Sequence, residues 1–137
     1  MGVEIEAVYQ GHLRCEATHG PSRSTLETDA PTDNMGRGER FSPTDLVATA
    51  LITCIATTCG ILAKRKGWNI EGMRLHVTKD MSSDAPRRIV RLPVQVWMAR
   101  NLDTAARAEI EQMARNCPVY KSIAAGIETS LTIHWPA

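Results

Sequence analysis

Residues 42–67 read SPTDLVATALITCIATTCGILAKRKG, and this stretch decides the fold. Ser42 is a favoured N-cap residue, Pro43 suits the first helical position, and Asp45 stands where a capping box places its acid. The glycine that closes the stretch is a favoured helix terminator. We therefore predict one helix over residues 43–66, roughly 35 Å long at 1.5 Å per residue.

The middle of this helix is almost entirely apolar. Residues 46–63 contain four threonines, two cysteines and a glycine, but no charged side chain. The polar interruptions favour a buried helix over a membrane span. A helix that is apolar on most sides must be covered on most sides, by a sheet or by a second subunit.

The segments on either side of the helix predict strands and two further helices. Apolar and polar residues alternate near the N-terminus, in two long segments after the central helix, and again close to the C-terminus. Asp103 is a suitable cap for a second helix, and Pro118 suits the start of a third. We predict a single α+β domain over residues 1–137, with N-terminal strands in 1–28, the central helix in 43–66, a β-hairpin in 70–99, two helices in 103–125 and a final strand in 129–135.

Composition excludes several classes of function. The net charge is +1 and the basic residues are scattered, so no nucleic-acid partner is predicted. The first residues are acidic and alternating, unlike a secretory signal peptide. We therefore expect a soluble, cytoplasmic protein with no membrane partner.

Four cysteines are the main candidates for reactive residues in the chain. They stand at positions 15, 54, 59 and 117, with no Cys-x-x-Cys motif and no histidine at a ligand spacing from them. This spacing does not predict a metal site. Cys15 and Cys59 are interpreted as packing residues.

Cys117 and Cys54 each allow a reactive and a structural interpretation. Cys117 directly precedes Pro118, so its sulfur should lie at a helix N-terminus, where the dipole favours a thiolate and lowers the pKa. It could equally be a buried packing residue. Cys54 lies among apolar residues in mid-helix, where periodicity favours a core residue. It becomes reactive only if another segment brings it a cation and an opening to solvent.

Two motifs resemble the OsmC/Ohr family, which includes the organic hydroperoxide resistance proteins. The run FSPTDLVATALITC (41–54) resembles its central-helix signature, and NCPVYKS (116–122) resembles its second cysteine motif. The likeness extends over nearly the whole chain. It implies antiparallel sheets around a long central helix, in an entwined homodimer.

The resemblance also implies an activity, that of a cysteine-based peroxidase. Cys54 would attack the peroxide O–O bond and become a sulfenic acid, which Cys117 would trap as a disulfide. An external dithiol, often of lipoyl type in the family, would regenerate the pair, so no bound cofactor is expected. An apolar pocket lined by Leu51, Ile55 and Met113 would favour organic hydroperoxides.

The family activates its first cysteine with an arginine, which a carboxylate holds in some branches. Arg14 stands at the matching position; an exposed strand residue is the alternative interpretation. Arg37 and Arg40, in the loop before the helix, are alternative substrate-contacting donors.

The sequence departs from the family pattern at two places. Thr44 replaces the glutamate of the Ohr branch, so Asp45 either serves as the catalytic carboxylate or only caps the helix. Ile55 follows Cys54, where the peroxidase branches carry an aromatic residue. A non-catalytic dimeric binding module is therefore an alternative function. Sulfur transfer or thioester hydrolysis at Cys54 is a third possibility, although no histidine base lies near it in sequence.

Overall fold

The computed structural model describes residues 2–137 and has the mixed α+β architecture that the sequence predicts. The chain divides into two compact units, one ending at Val47 and the other beginning at Ala48. The helix α1 (Pro43–Lys66) begins in the first unit and continues into the second. Its bounds are those that its capping residues and Gly67 predict.

The N-terminal unit contains a three-stranded antiparallel sheet. Its strands are β1 (Ile5–Gly11), β2 (Arg14–His19) and β3 (Thr25–Asp29), paired in that order. The first hairpin turns at His12 and Leu13, both of which have positive φ. The register places Arg14 of β2 directly opposite Asp29 of β3. Asp29 is thus the last residue of a strand, although its surroundings predict a loop.

The C-terminal unit contains a four-stranded sheet and two helices. Its elements are β4 (Arg74–Val77), β5 (Asp80–Met81), β6 (Ile89–Trp97), α2 (Thr104–Ala114), α3 (Pro118–Ile123) and β7 (Glu128–His134). The predicted hairpin is present, because β4 and β5 both pair with β6 antiparallel. However, β7 pairs with β6 in parallel. The connection through α2 and α3 is long enough for the chain to re-enter the sheet in the same direction.

The core of the C-terminal unit lies between α1 and β6. One side of α1, the central residues of β6 and one side of α2 form a single buried cluster, which includes Leu51, Ile55, Cys59, Leu92, Val94, Val96, Ile110, Ala114 and Cys117. The side chains of Leu51 and Ile110 are 0% exposed. This packing fixes the rotation of α1 and therefore determines which of its residues reach the surface.

The helix α1 meets a membrane-span test by length and composition. Among residues 2–137 it is the one such helix, with a mean hydropathy of 2.1 over its most apolar window, of which 33% is buried. Core helices of soluble proteins meet the same criterion, and α1 carries the core cluster described above. The unburied part of this helix leaves apolar surface for a further contact.

Candidate active site

Cys54 lies on α1 at the edge of an open groove. Its side chain is half-buried, unlike Leu51 and Ile55, which point into the core. The groove has a volume of about 470 Å³. Its walls come from α1 and from the start of α3, and they are formed by Ala50, Thr53, Thr57, Thr58, Ile61, Pro118 and Val119. Cys54 is therefore open to a small molecule, which a purely structural core cysteine is not.

Cys117 meets Cys54 from the start of α3. It is the N-cap of that helix, and its Sγ accepts a hydrogen bond from the backbone N–H of Tyr120 at 3.3 Å. Cys54 packs against the buried cluster that contains Cys117, and it lies near enough to raise the pKa of the Cys117 thiol. Two cysteines that are 63 positions apart in the chain are thus close neighbours.

The protonation of Cys117 agrees with the buried-packing interpretation and differs from the thiolate interpretation. Its helix-terminal position predicts a lowered pKa, but burial raises the pKa of Cys117, and the contact with Cys54 raises it further. The N–H of Tyr120 acts in the opposite direction without overcoming the burial. Because the side chain is 0% exposed, loss of water outweighs the favourable end of a six-residue helix. Cys117 is therefore held as a neutral thiol.

Cys59 is the third sulfur on this side of the core. Its Sγ donates to the backbone carbonyl of Ile110 at 3.7 Å, and burial, with a smaller electrostatic contribution from the neighbouring Cys117, raises the pKa of Cys59 to about 12. The interpretation of Cys59 as a packing residue agrees with this environment. Of the three thiols, Cys54 is the one with access to the groove.

Thr58 is a polar neighbour of Cys54 that the sequence analysis did not identify. It lies one turn further along α1, and its Oγ1 is 3.8 Å from Cys54 Sγ. Thr53, on the same groove, donates instead to the carbonyls of Thr49 and Ala50 at 2.8 and 3.3 Å. The spacing of four residues was the available signal, because such residues are neighbours on a helix surface.

Arg14 is held within the N-terminal unit by two carboxylates. Its Nε and Nη2 bind the two oxygens of Asp29 at 2.7 and 2.9 Å, and Nη2 also binds Glu39 at 3.2 Å. The Asp29 side chain is 1% exposed and also accepts the backbone N–H of Glu39 at 3.1 Å. The hydrogen bond from Arg14 lowers the pKa of Asp29, and Asp29 in turn raises the pKa of Arg14. Arg14 is therefore a fixed cation and not a mobile surface residue.

Asp29 is thus the carboxylate that orients Arg14, and the sequence analysis missed it. The available signal was the hairpin register, which pairs β2 with β3 so that these two residues face each other. Asp45, the predicted alternative, forms a capping box. It accepts the N–H of Ser42 at 2.9 Å, while its own N–H donates to Ser42 Oγ at 3.0 Å.

The remaining predicted pocket residues lie elsewhere than expected. Leu51 and Ile55 belong to the core, because the rotation of α1 turns them towards β6. Met113 lines a separate cavity of about 280 Å³. Arg40 pairs with Glu27 at 3.4 Å, and Arg37 is exposed. The apolar lining of the Cys54 groove comes instead from Ala50, Ile61, Pro118 and Val119.

No group of three or more histidine, cysteine, aspartate or glutamate side chains that could hold a metal ion occurs within residues 2–137. The described side chains instead place two thiols, those of Cys54 and Cys117, beside an apolar groove. Such a pair can be oxidised to a disulfide and reduced again.

The sequence matches the family described as OsmC-like protein over residues 36–132. A structure from Psychrobacter arcticus 273-4, named as an osmotic stress induced and detoxification response protein, is 40% identical, with 98% of each chain covered and a TM-score of 0.91. Comparison with the curated proteins gives no match.

More distant structures share the fold. The organic hydroperoxide resistance protein OsmC of Legionella pneumophila is 13% identical, covering 97% of this chain and 96% of its own, with a TM-score of 0.76. The organic hydroperoxide resistance protein OhrB of Bacillus subtilis is 16% identical, covering 98% of each chain, with a TM-score of 0.68.

Proposed function

The chain belongs to the OsmC-like protein family, and on this premise we propose that it is a thiol peroxidase that reduces organic hydroperoxides. The observation that carries the proposal is the proximity of the groove-facing thiol of Cys54 to the buried thiol of Cys117. A peroxidase of this kind needs one accessible thiolate and one protected thiol within reach of it. The different environments of the two cysteines supply this division.

The first step uses Cys54. Its thiolate attacks the distal oxygen of the hydroperoxide, an S–O bond forms, and the O–O bond breaks. The sulfur is oxidised to a sulfenic acid, and the alkoxide that leaves takes a proton to become an alcohol. Ala50, Ile61 and Val119 give the groove an apolar lining that suits an alkyl group better than it suits hydrogen peroxide alone.

The second step uses Cys117. Its sulfur attacks the Cys54 sulfenic acid, the disulfide forms, and the hydroxyl leaves as water after taking up the proton of the thiol. An external dithiol then reduces the disulfide by two exchange steps and is itself oxidised to a disulfide. We propose a lipoyl-type dithiol for this reductant, as the family resemblance implies.

Arg14 is the proposed activating cation. The guanidinium remains charged at all relevant pH values and offers several donors, so it can stabilise a thiolate and orient a peroxide. The buried carboxylate of Asp29 fixes its Nε and Nη2, and Nη2 also binds Glu39, so the two N–H groups of Nη1 remain for other partners. In this proposal Asp29 takes the role of the Ohr-branch glutamate, whose position Thr44 occupies.

We further propose a cytoplasmic homodimer. The central helix and the N-terminal sheet both leave apolar surface exposed: Ile61 is 49% exposed, Ile5 is 66% exposed and Tyr9 is 63% exposed. A second copy of the chain would cover such surface, in the entwined arrangement that the resemblance implies. A reducing compartment keeps the thiols ready between turnovers.

A peroxide challenge tests the proposed function. Reduced protein is mixed with cumene hydroperoxide or hydrogen peroxide in separate samples, and the products are identified by intact mass and peptide mapping. We expect a Cys54–Cys117 disulfide that forms faster with the organic peroxide. Cys54→Ser should abolish the reaction, and Cys117→Ser should leave a sulfenic acid at Cys54 that dimedone captures.

Cys15→Ser provides the matched control, because Cys15 lies in the N-terminal sheet and has no role in the proposed cycle. This variant should react as the parent does. If Cys54 stays reduced at millimolar peroxide while exposed thiols are slowly modified, the peroxidase proposal is wrong. The binding-module alternative, which Thr44 in place of glutamate favours, would then take its place.

A further inference from the structure

We propose that Thr58 is a catalytic hydrogen-bond donor that stabilises the thiolate of Cys54. The inference deepens the proposed function, on which it rests, by assigning to the reacting sulfur a donor on its own helix. The observation behind it is the distance of 3.8 Å between Thr58 Oγ1 and Cys54 Sγ.

The direction of this hydrogen bond follows from the charge on sulfur. In the neutral pair either atom can donate. A thiolate has no proton, so once Cys54 ionises only the hydroxyl of Thr58 can be the donor. A hydrogen bond to the charged form of a group favours that form and lowers its pKa. Thr58 therefore stabilises the thiolate more strongly than the neutral thiol.

The orientation of the Thr58 hydroxyl is not the usual one for a helical threonine. Threonine in a helix commonly donates to the carbonyl four residues earlier. Thr53 does this, with its Oγ1 2.8 Å from the carbonyl oxygen of Thr49. The side chain of Thr58 instead approaches the sulfur of the residue four positions earlier. The two threonines share the helix and the groove but differ in the use of their hydroxyls.

Within the C-terminal unit this donor has few electrostatic competitors at the groove; the proposed activating cation, Arg14, belongs to the N-terminal unit. The residues that line the groove, all within the C-terminal unit, carry no charged side chain. The titratable group facing Cys54 from α3 is Cys117, which burial and the contact with Cys54 keep protonated. The next thiol, Cys59, is buried and donates to the carbonyl of Ile110. Thr58 thus approaches Cys54 Sγ from the same helix, and the protonated thiol of Cys117 lies near it at the start of α3.

The groove also gives Thr58 a position that a substrate can share. Thr58 lines the same open space as Cys54, with Pro118 and Val119 on the facing wall. A peroxide in line with Cys54 Sγ would therefore lie beside the hydroxyl. A hydrogen bond from this hydroxyl is stronger to the charged thiolate than to the neutral thiol, so its main effect is to raise the thiolate fraction of Cys54.

The test is the pH dependence of the alkylation of Cys54. The full-length reduced protein is treated with iodoacetamide between pH 5 and 10, and the modification of the Cys54 peptide is followed by mass spectrometry. This rate reports the thiolate fraction whether or not peroxide reacts, so failure here is distinguishable from failure of the proposed peroxidase.

Thr58→Val removes the hydroxyl and preserves the shape of the side chain. We expect the apparent pKa of Cys54 to rise by about one pH unit, so that alkylation near pH 7 slows by up to about tenfold. Above both pKa values the rates should converge, because the thiolate is then fully formed in both proteins. A purely structural defect would lower the rate at every pH.

Two further variants make the result decisive. Thr58→Ser retains the hydroxyl and should keep the parent pKa, while Thr53→Val removes a hydroxyl that donates to the backbone and should leave the pKa of Cys54 unchanged. The proposal is overturned if Thr58→Val titrates as the parent does, or if Thr58→Ser shifts the pKa as far as Thr58→Val. Circular dichroism and thermal unfolding of each variant establish that it is folded.

Discussion

At the scale of single residues, the buried charge of Asp29 is the feature with the clearest consequence for stability. Its carboxylate binds two nitrogens of Arg14 and the backbone N–H of Glu39, and these contacts hold its pKa below the ordinary value of about 3.9. A depressed pKa in the folded state contributes stability that is fully present above the unfolded value. That contribution is lost as the pH falls through the folded value.

We therefore expect acid to weaken the parent protein through Asp29. Asp29→Asn cannot ionise, so its unfolding midpoint in urea should be lower than that of the parent at pH 7 and should change less between pH 5 and pH 3. Urea titrations monitored by circular dichroism at several pH values measure the unfolding midpoint and its change with pH. Glu27→Gln, which alters a neighbouring carboxylate paired with Arg40, is the control. Parallel pH profiles for parent and Asp29→Asn would contradict this account.

The sequence identified Cys54, Cys117 and Arg14, but not the state in which each is held. The cap position of Cys117 was predictable because it depends only on the adjacent Pro118. Its raised pKa was not, because burial results from packing among segments far apart in sequence. Asp29 was missed for a related reason: its role depends on the strand opposite it, and its local surroundings resemble a loop.

At the scale of elements, the start of α1 is fixed by a reciprocal pair of hydrogen bonds. Ser42 and Asp45 each accept the other's backbone N–H. Ser42 is also 1% exposed, so the loss of its hydroxyl leaves the Asp45 N–H without its acceptor at a buried position. The capping box therefore stabilises the helix that carries Cys54.

We expect Ser42→Ala to lower the free energy of unfolding by about 0.5–2 kcal/mol, as is typical for the loss of an N-cap. Asp45→Asn should also destabilise, and both variants should keep the parent rate of peroxide reduction once folded. Chemical denaturation and a peroxide assay on the same samples separate the two effects. A large loss of activity in folded Asp45→Asn would instead support a catalytic role for the Asp45 carboxylate.

A helix or strand is predictable from the sequence when neighbouring residues determine it, and not when distant segments do. The bounds of α1 were predictable because Ser42, Pro43 and Gly67 act within one helical turn of each end. The parallel pairing of β7 was not, because alternation reveals a strand but not the direction of its partner. The division of the first long segment into β4 and β5 was not predictable either, because it depends on how both strands pair with β6.

At the scale of the whole molecule, exposed apolar surface is the property that requires explanation. A soluble chain seldom leaves residues such as Ile5 and Tyr9 more than 60% exposed together with part of an apolar central helix. The family and its fold were predictable because two cysteine motifs are specific. The assembly followed only from the resemblance.

We expect the protein to behave as a dimer in solution. Size-exclusion chromatography with light scattering should give twice the chain mass of 15.1 kDa. Ile61→Glu places a charge on the unburied side of α1 and should shift the species towards monomer, whereas Lys64→Glu, at an already exposed charged position, should not. A monomer at micromolar concentration in the parent would contradict the proposed assembly.

The contact between Cys54 and Cys117 also concerns the topology of the chain. Oxidation would join α1 to α3 and convert the 62 residues between the two cysteines, including the whole of β6, into a closed ring. Closing a loop of that size removes entropy from the unfolded chain worth about 4 kcal/mol at 25 °C. The oxidised protein would then have the larger free energy of unfolding. The reductant would have to break a disulfide that stabilises the folded protein.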